Sequence, residues 1–179
     1  GTRPARPVFG RGIGGAAVVS LLGIPWGFER SFLAIYESKG IDLVVVKAGV
    51  GDRLTSNLDA ALESKVKGVP GVKDAVGSLI DVVTFEQANL VSVLANGWQP
   101  GSLLFRGVHV ISGRSLRPGD AKVLMLGKVL ALNLKKTTGD ELAVSGESFR
   151  VVGVYASESL FENGGLIVPF TDLQTLLGR

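Results

Sequence analysis

The 179-residue sequence contains no cysteine and a single histidine, and each scarcity excludes a class of chemistry. Without cysteine there is no disulfide framework and no thiolate catalysis. That usage suits an extracytoplasmic bacterial domain without demanding one. His109 has no second histidine or cysteine ready beside it, so a zinc site is unsupported. A Ser-His-Asp triad would have to use His109, which sits in the alternation Val108-His109-Val110 of a half-exposed strand. The pattern G-x-x-x-x-G-K-[ST] is absent, so the chain does not bind ATP through a P-loop. Asp59 and Glu63 lie one helical turn apart and read as a solvated helix face. Asp140-Glu141 reads as a turn before a strand. No catalytic residue, cofactor-binding residue or metal ligand emerges.

Acid is missing from the first eleven residues, where Arg3, Arg6 and Arg11 stand. The whole chain carries 19 basic and 16 acidic residues, a formal net charge of +3. Setting those three arginines aside leaves 16 against 16, so the basic excess is a tail effect and not a nucleic-acid footprint. Apolar residues are abundant, at 46% with a mean hydropathy of +0.36. Part of that excess sits in the stretch that follows the arginines.

Two readings compete for that stretch. Gly10, Gly12 and Gly15 match G-x-G-x-x-G, the spacing that cradles a dinucleotide pyrophosphate. Such a fingerprint must follow a buried strand and be answered by an acid at the end of the next strand. Here only Val8-Phe9 precede it after a proline, and Lys47 stands where the acid belongs. Glycine is also common, 25 of 179, so chance matches are expected. The membrane reading meets its conditions better. Gly12 to Phe28 is uncharged over 17 positions, roughly 25 Å of helix against roughly 30 Å of hydrocarbon. Pro25 is tolerated there, Trp26 suits the interface, and the arginines put the N-terminal end in the cytoplasm. A signal peptide or a buried core helix are the alternatives, although no A-x-A cleavage site follows.

The apolar run continues as an amphipathic helix. Phe28, Phe32, Ile35 and Tyr36 share one face, and Gly40 is its expected C-cap. A helix that leaves the bilayer in this way is a candidate stalk. Ile41 to Val46 reads as a strand. Ser56 or Asn57 is expected to cap a helix through Leu58, Ala61, Leu62 and Val66. A turn at Gly68-Val69-Pro70-Gly71 leads to a strand within Val72 to Val83, bulged at Gly77. Leu90 to Leu94 is a further strand, ended by Asn96-Gly97. After the polar boundary Gly113 to Asp120, Val123 to Leu134 reads as strand then helix. Leu142 and Val144 alternate, Ser145-Gly146-Glu147 turns, and Phe149 to Tyr155 returns. Leu166 to Val168 is a short strand, and Pro169 and Thr171 start a terminal helix. Trp98, Phe105 and Phe161 are expected in the core.

Two stretches together resemble a known family. "FERSFLAIYESKGIDLVVVKAG" (Phe28 to Gly49) runs from a membrane helix into a strand. Ile111 to Leu177 contains Gly113-Arg114, Gly127 to Leu132, Gly139-Asp140, Phe149 to Gly153 and Ile167 to Leu177. In that order these elements are similar to the core of MacB-like and FtsX-like permeases of ABC transporters. The resemblance implies an α+β fold: an N-terminal membrane and stalk helix, then a two-lobed periplasmic domain. Residues 1–39 would be cytoplasmic tail, membrane helix and stalk. Residues 40–112 would begin a porter-type β-α-β lobe, and 113–179 a mainly β Sabre lobe. The return segment of the porter lobe would follow Arg179. The family is not itself catalytic. Its partners are a cytoplasmic ATP-binding subunit, a second permease subunit, membrane lipid, and a periplasmic adaptor or lipoprotein, with no nucleic acid. The implied function is to relay ATP-driven motion across the bacterial inner membrane, for export or lipoprotein release. A tethered or secreted periplasmic binding module is the alternative, and an oxidoreductase the more remote one.

Overall fold

A computed structural model describes residues 35–45, 58–59, 61–88 and 90–178. The expected membrane helix, Gly12 to Phe28, lies outside these residues, as do the three fingerprint glycines, Phe32, Ser56 and Asn57. The chain divides into two compact units, Gly1–Asp42 and Leu43–Arg179. In the first, residues 35–38 are helical and carry Ile35 and Tyr36. The helix stops where expected. Gly40 has φ +69°, its N–H bonds to the Glu37 carbonyl at 2.9 Å, and the Ile41 N–H reaches back to the Tyr36 carbonyl at 3.0 Å. That pair of bonds satisfies the last carbonyls of a helix, and the left-handed φ between them favours glycine.

The second unit is built on a sheet whose strands are β1 (Ser78–Phe85), β2 (Leu90–Trp98), β3 (His109–Gly113), β4 (Val123–Gly127), β5 (Glu141–Val144), β6 (Glu147–Ala156) and β7 (Leu166–Pro169). Among the described residues its order is β1-β2-β7-β4-β6-β3, with β5 also on β6. β1 and β2 are antiparallel neighbours. β7 lies parallel to β2 and antiparallel to β4. β6 is the hub. It runs parallel to β4 on one side, while β5 and β3 share its other side, β5 at its first half and β3 at its second. The helices are α1 (Ala61–Lys67), α2 (Lys128–Leu134), α3 (Leu160–Asn163) and α4 (Phe170–Leu176). Fold class is therefore mixed α+β.

One apolar cluster joins the sheet to its helices. Leu124 and Leu126 of β4, Leu166 and Val168 of β7, Leu130 of α2 and Leu173 of α4 are all essentially inaccessible. The alternation Leu142–Val144 is buried at both positions, as a half-covered strand requires. At the turn into β6, Ser145 (φ 51°) and Gly146 (φ 86°) both adopt positive φ, the geometry that matches hairpin twist.

Four local expectations are corrected. Residues 41–45 form no ladder, and Leu43, Val44 and Val45 are exposed. A β-branched run supplies propensity, but a strand exists only with a partner. Asn96-Gly97 does not end β2. The strand continues through it to Trp98, with Gly97 paired to Leu79 on one side and Val168 on the other. A Cβ on Gly97 would stand 2.9 Å from Leu173, so the glycine is there to admit α4 and not to turn the chain. Finally, α1 begins at Ala61, with the Asp59 carboxylate accepting the Ala61 N–H at 2.9 Å. Leu58 precedes the helix, and Gly77 precedes β1 without bulging it.

Candidate functional site

The sequence singles out His109, Asp59, Glu63 and the stalk face. His109 opens β3 and is exposed. Among the described residues no group of three or more His, Asp and Glu side chains could hold a metal ion. Nor do Asp59 and Glu63 act as a pair. Asp59 caps α1, whereas the Glu63 carboxylate accepts from the Gly77 N–H at 3.0 Å, Gln99 Nε2 at 3.1 Å and Lys67 Nζ at 3.0 Å. Burial works to raise the Glu63 carboxyl, but those hydrogen bonds outweigh it and hold it below its ordinary value.

Polar side chains instead fasten the surface elements around β6. At the boundary after β3, Arg114 donates twice to Asp120, at 2.6 and 2.9 Å, and Asp120 also accepts the Arg117 N–H at 2.9 Å. The Arg114 fork holds the Asp120 carboxyl below the usual carboxylate range. A carboxyl depressed in the folded state contributes stability above its unfolded value near 3.8 and loses it as pH falls through the folded value. Asp120→Asn should therefore cost about 1–2 kcal/mol between pH 5 and 8, allowing for the partial exposure of the pair. The gap between variant and wild type should begin to narrow below about pH 4 in urea titrations and keep narrowing as pH falls further. A gap independent of pH would mean the charge contributes nothing.

The second fastening lies where β6 leaves the sheet. Asn163, 3% exposed, clasps the backbone of Ser157: its Oδ1 accepts the Ser157 N–H at 2.9 Å and its Nδ2 donates to the Ser157 carbonyl at 2.7 Å. Ser157 Oγ donates to the Glu162 carboxylate, and the Tyr155 hydroxyl donates to the Glu162 carbonyl at 2.6 Å. Burial, then the nearby Glu162 charge, push the Tyr155 phenol well above its usual value, so it remains a donor. Ser159 caps α3, its hydroxyl accepting from the Glu162 N–H. These ties leave apolar side chains facing outward nearby: Leu160 of α3 is 82% exposed and Leu132 of α2 is 76% exposed. α2 and α3 pack against each other, and β3 has Val110 and Ile111 exposed. Trp98 is buried and meets half-buried Phe105 edge-on at 5.3 Å, while Phe161 is half-buried. Sequence reasoning missed Glu63, Asp120 and Asn163 as ties. Only Asp120 carried a signal, in the compact turn Arg117-Pro118-Gly119-Asp120.

These elements define a mixed α+β domain in which charged and amide side chains serve to clamp loops and short helices onto one sheet. The chain belongs to the MacB-like periplasmic core domain family, whose profile matches residues 8–179. That bears out the resemblance carried by Phe28 to Gly49 and Ile111 to Leu177. Among individual proteins, the chain is 26% identical over 186 aligned positions to the macrolide export ATP-binding/permease protein MacB of Shewanella oneidensis. The alignment takes in 93% of this chain and 28% of that protein's length. Two crystal structures share the fold. The periplasmic region of MacB from Actinobacillus actinomycetemcomitans matches with a TM-score of 0.54 at 18% identity, over 75% of this chain and 66% of that one. The extracellular domain of the ABC-type transporter YknZ from Gram-positive bacteria matches with a TM-score of 0.55 at 22% identity, over 68% of this chain and 67% of that one.

Proposed function

We propose that this chain is the extracytoplasmic core region of an ABC transporter permease that relays ATP-driven motion across the bacterial inner membrane. The observation that carries the reading is the family match over residues 8–179. The Shewanella relative is named as both ATP-binding protein and permease, which supports an ATP-binding component as the source of the motion. In this reading the chain is not the catalyst. It works as a permease dimer against a periplasmic adaptor or lipoprotein, in export or lipoprotein release. Gly12 to Phe28 crosses the membrane and Phe32, Ile35 and Tyr36 form the face of the coupling stalk. Among the described residues no helix is long and apolar enough to cross a membrane. The proposed porter lobe (40–112) and Sabre lobe (113–179) meet in this reading along the β2–β7 and β3–β6 ladders.

The test is made in the intact permease, reconstituted with its ATP-binding component. Proline removes a helical hydrogen bond and costs about 3 kcal/mol or more. In this reading the stalk helix runs unbroken from the membrane through Lys39, so Ala34→Pro falls in its interior and is expected to leave ATP hydrolysis running while export falls to background. Normal export by that variant would refute the coupling role. His109→Ala serves as the control and should leave both rates unchanged.

A further inference from the structure

Helix α1 is the least integrated element of the second unit. None of its seven residues is buried. Leu62 and Val66, one turn apart, are half-buried, yet neither belongs to the apolar cluster or to the half-buried residues packed against it. A helix of this length does not hold itself in water, so something else must keep it in place. Glu63 is what reaches the sheet. One carboxylate oxygen accepts from the backbone N–H of Gly77, just before β1, and from the side chain of Gln99, just after β2. The other accepts from Lys67, which also lies 3.7 Å from Asp74. The two ties to the sheet ends span 14 and 36 residues of sequence, so they are contacts of the tertiary fold and not of the helix itself.

We propose that Glu63 is a latch and α1 a detachable element, which leaves the ends of β1 and β2 as a unit while the sheet stays folded. A side chain that ties an element to the ends of two strands can set that element's opening equilibrium apart from global unfolding. Release freed of the sheet would present Leu62 and Val66 to solvent or to a partner. The inference does not depend on the transport reading.

Hydrogen exchange on the full chain tests it. Glu63→Gln keeps the size of the side chain and removes its charge. Amides of residues 61–68 and of Gly77 should then exchange about tenfold faster or more, while those of β2, β4, β6 and β7 keep their wild-type rates. Gln99→Ala removes one tie without touching α1, and should accelerate the same amides by about threefold. Unchanged exchange at residues 61–68 in either variant would overturn the proposal. So would acceleration of the sheet amides together with those of α1, because latch and sheet would then open as one.

Discussion

Gly127→Ala should lower the melting temperature of the domain by about 6–12 °C. Gly127 joins β4 to α2 with φ −63° and ψ 146°, a conformation any residue adopts, so the backbone itself does not require glycine. Space does. A Cβ there would meet the Asn163 carbonyl oxygen, with the Glu162 carbonyl oxygen at 2.5 Å and the Asn163 carbonyl carbon at 2.6 Å. These are backbone atoms of α3, which the Asn163 and Tyr155 bonds hold in place, and Gly127 itself donates its N–H to the Gly165 carbonyl at 2.9 Å. Nothing soft is available to move, so the cost falls at the upper end for overpacking, roughly 3 kcal/mol. Gly164→Ala is the contrast. Its φ is −89° and the nearest atom to a new Cβ is 3.5 Å away, so it should be neutral or stabilising by up to about 1 kcal/mol. Calorimetry on the two variants side by side decides the matter. A melting temperature for Gly127→Ala within about 2 °C of wild type would show that α3 yields.

Asn163→Ala should cost roughly 2–4 kcal/mol. The amide is one of few groups able to donate and accept in parallel, and here it does both to a single residue, Ser157. Truncation leaves that residue's N–H and carbonyl without their partner in a part-buried setting, and each such loss costs about 1–3 kcal/mol where water cannot enter. Thr175→Ala removes an exposed bond to the Thr171 carbonyl and should lie within about 0.5 kcal/mol of wild type. Denaturant midpoints measure both. Equal midpoints for the two variants would mean that water replaces the Asn163 clasp.

Apart from the one-turn helix α3, the elements between Val123 and Leu177 are legible in sequence because each carries its own period and its own punctuation. The Leu142–Val144 alternation, the Ser145-Gly146 turn and the switch from strand to helix at Gly127 are all local signals. The first half was less legible for a physical reason. Whether Ile41 to Val46 forms a ladder, and whether Asn96-Gly97 turns or continues, depends on partners distant in sequence. Val168, which pairs with Gly97, comes 71 positions later. Glu63 looked like a solvated helix residue because Gly77 and Gln99 cannot be seen from α1. The motif glycines were recognised by family likeness, and their reason appears only in space. Gly127 abuts the backbone of α3, and a Cβ on Gly153 would strike the carbonyl oxygen of Arg114.

The position of β7 has a consequence for how the domain comes into being. Four buried residues, Leu166–Pro169, join β2 on one side to β4 on the other. During synthesis the β1–β2 hairpin leaves the ribosome long before them, and β3 to β6 also precede them. Until β7 emerges, the edges of β2 and β4 that it will fill are open, and open edges invite pairing with another chain. Closing a ladder between segments so far apart in sequence is slow. Until then the β1–β2 hairpin and the strands β3 to β6 stand as two unjoined parts of the sheet, and that interval is when they most need chaperone protection.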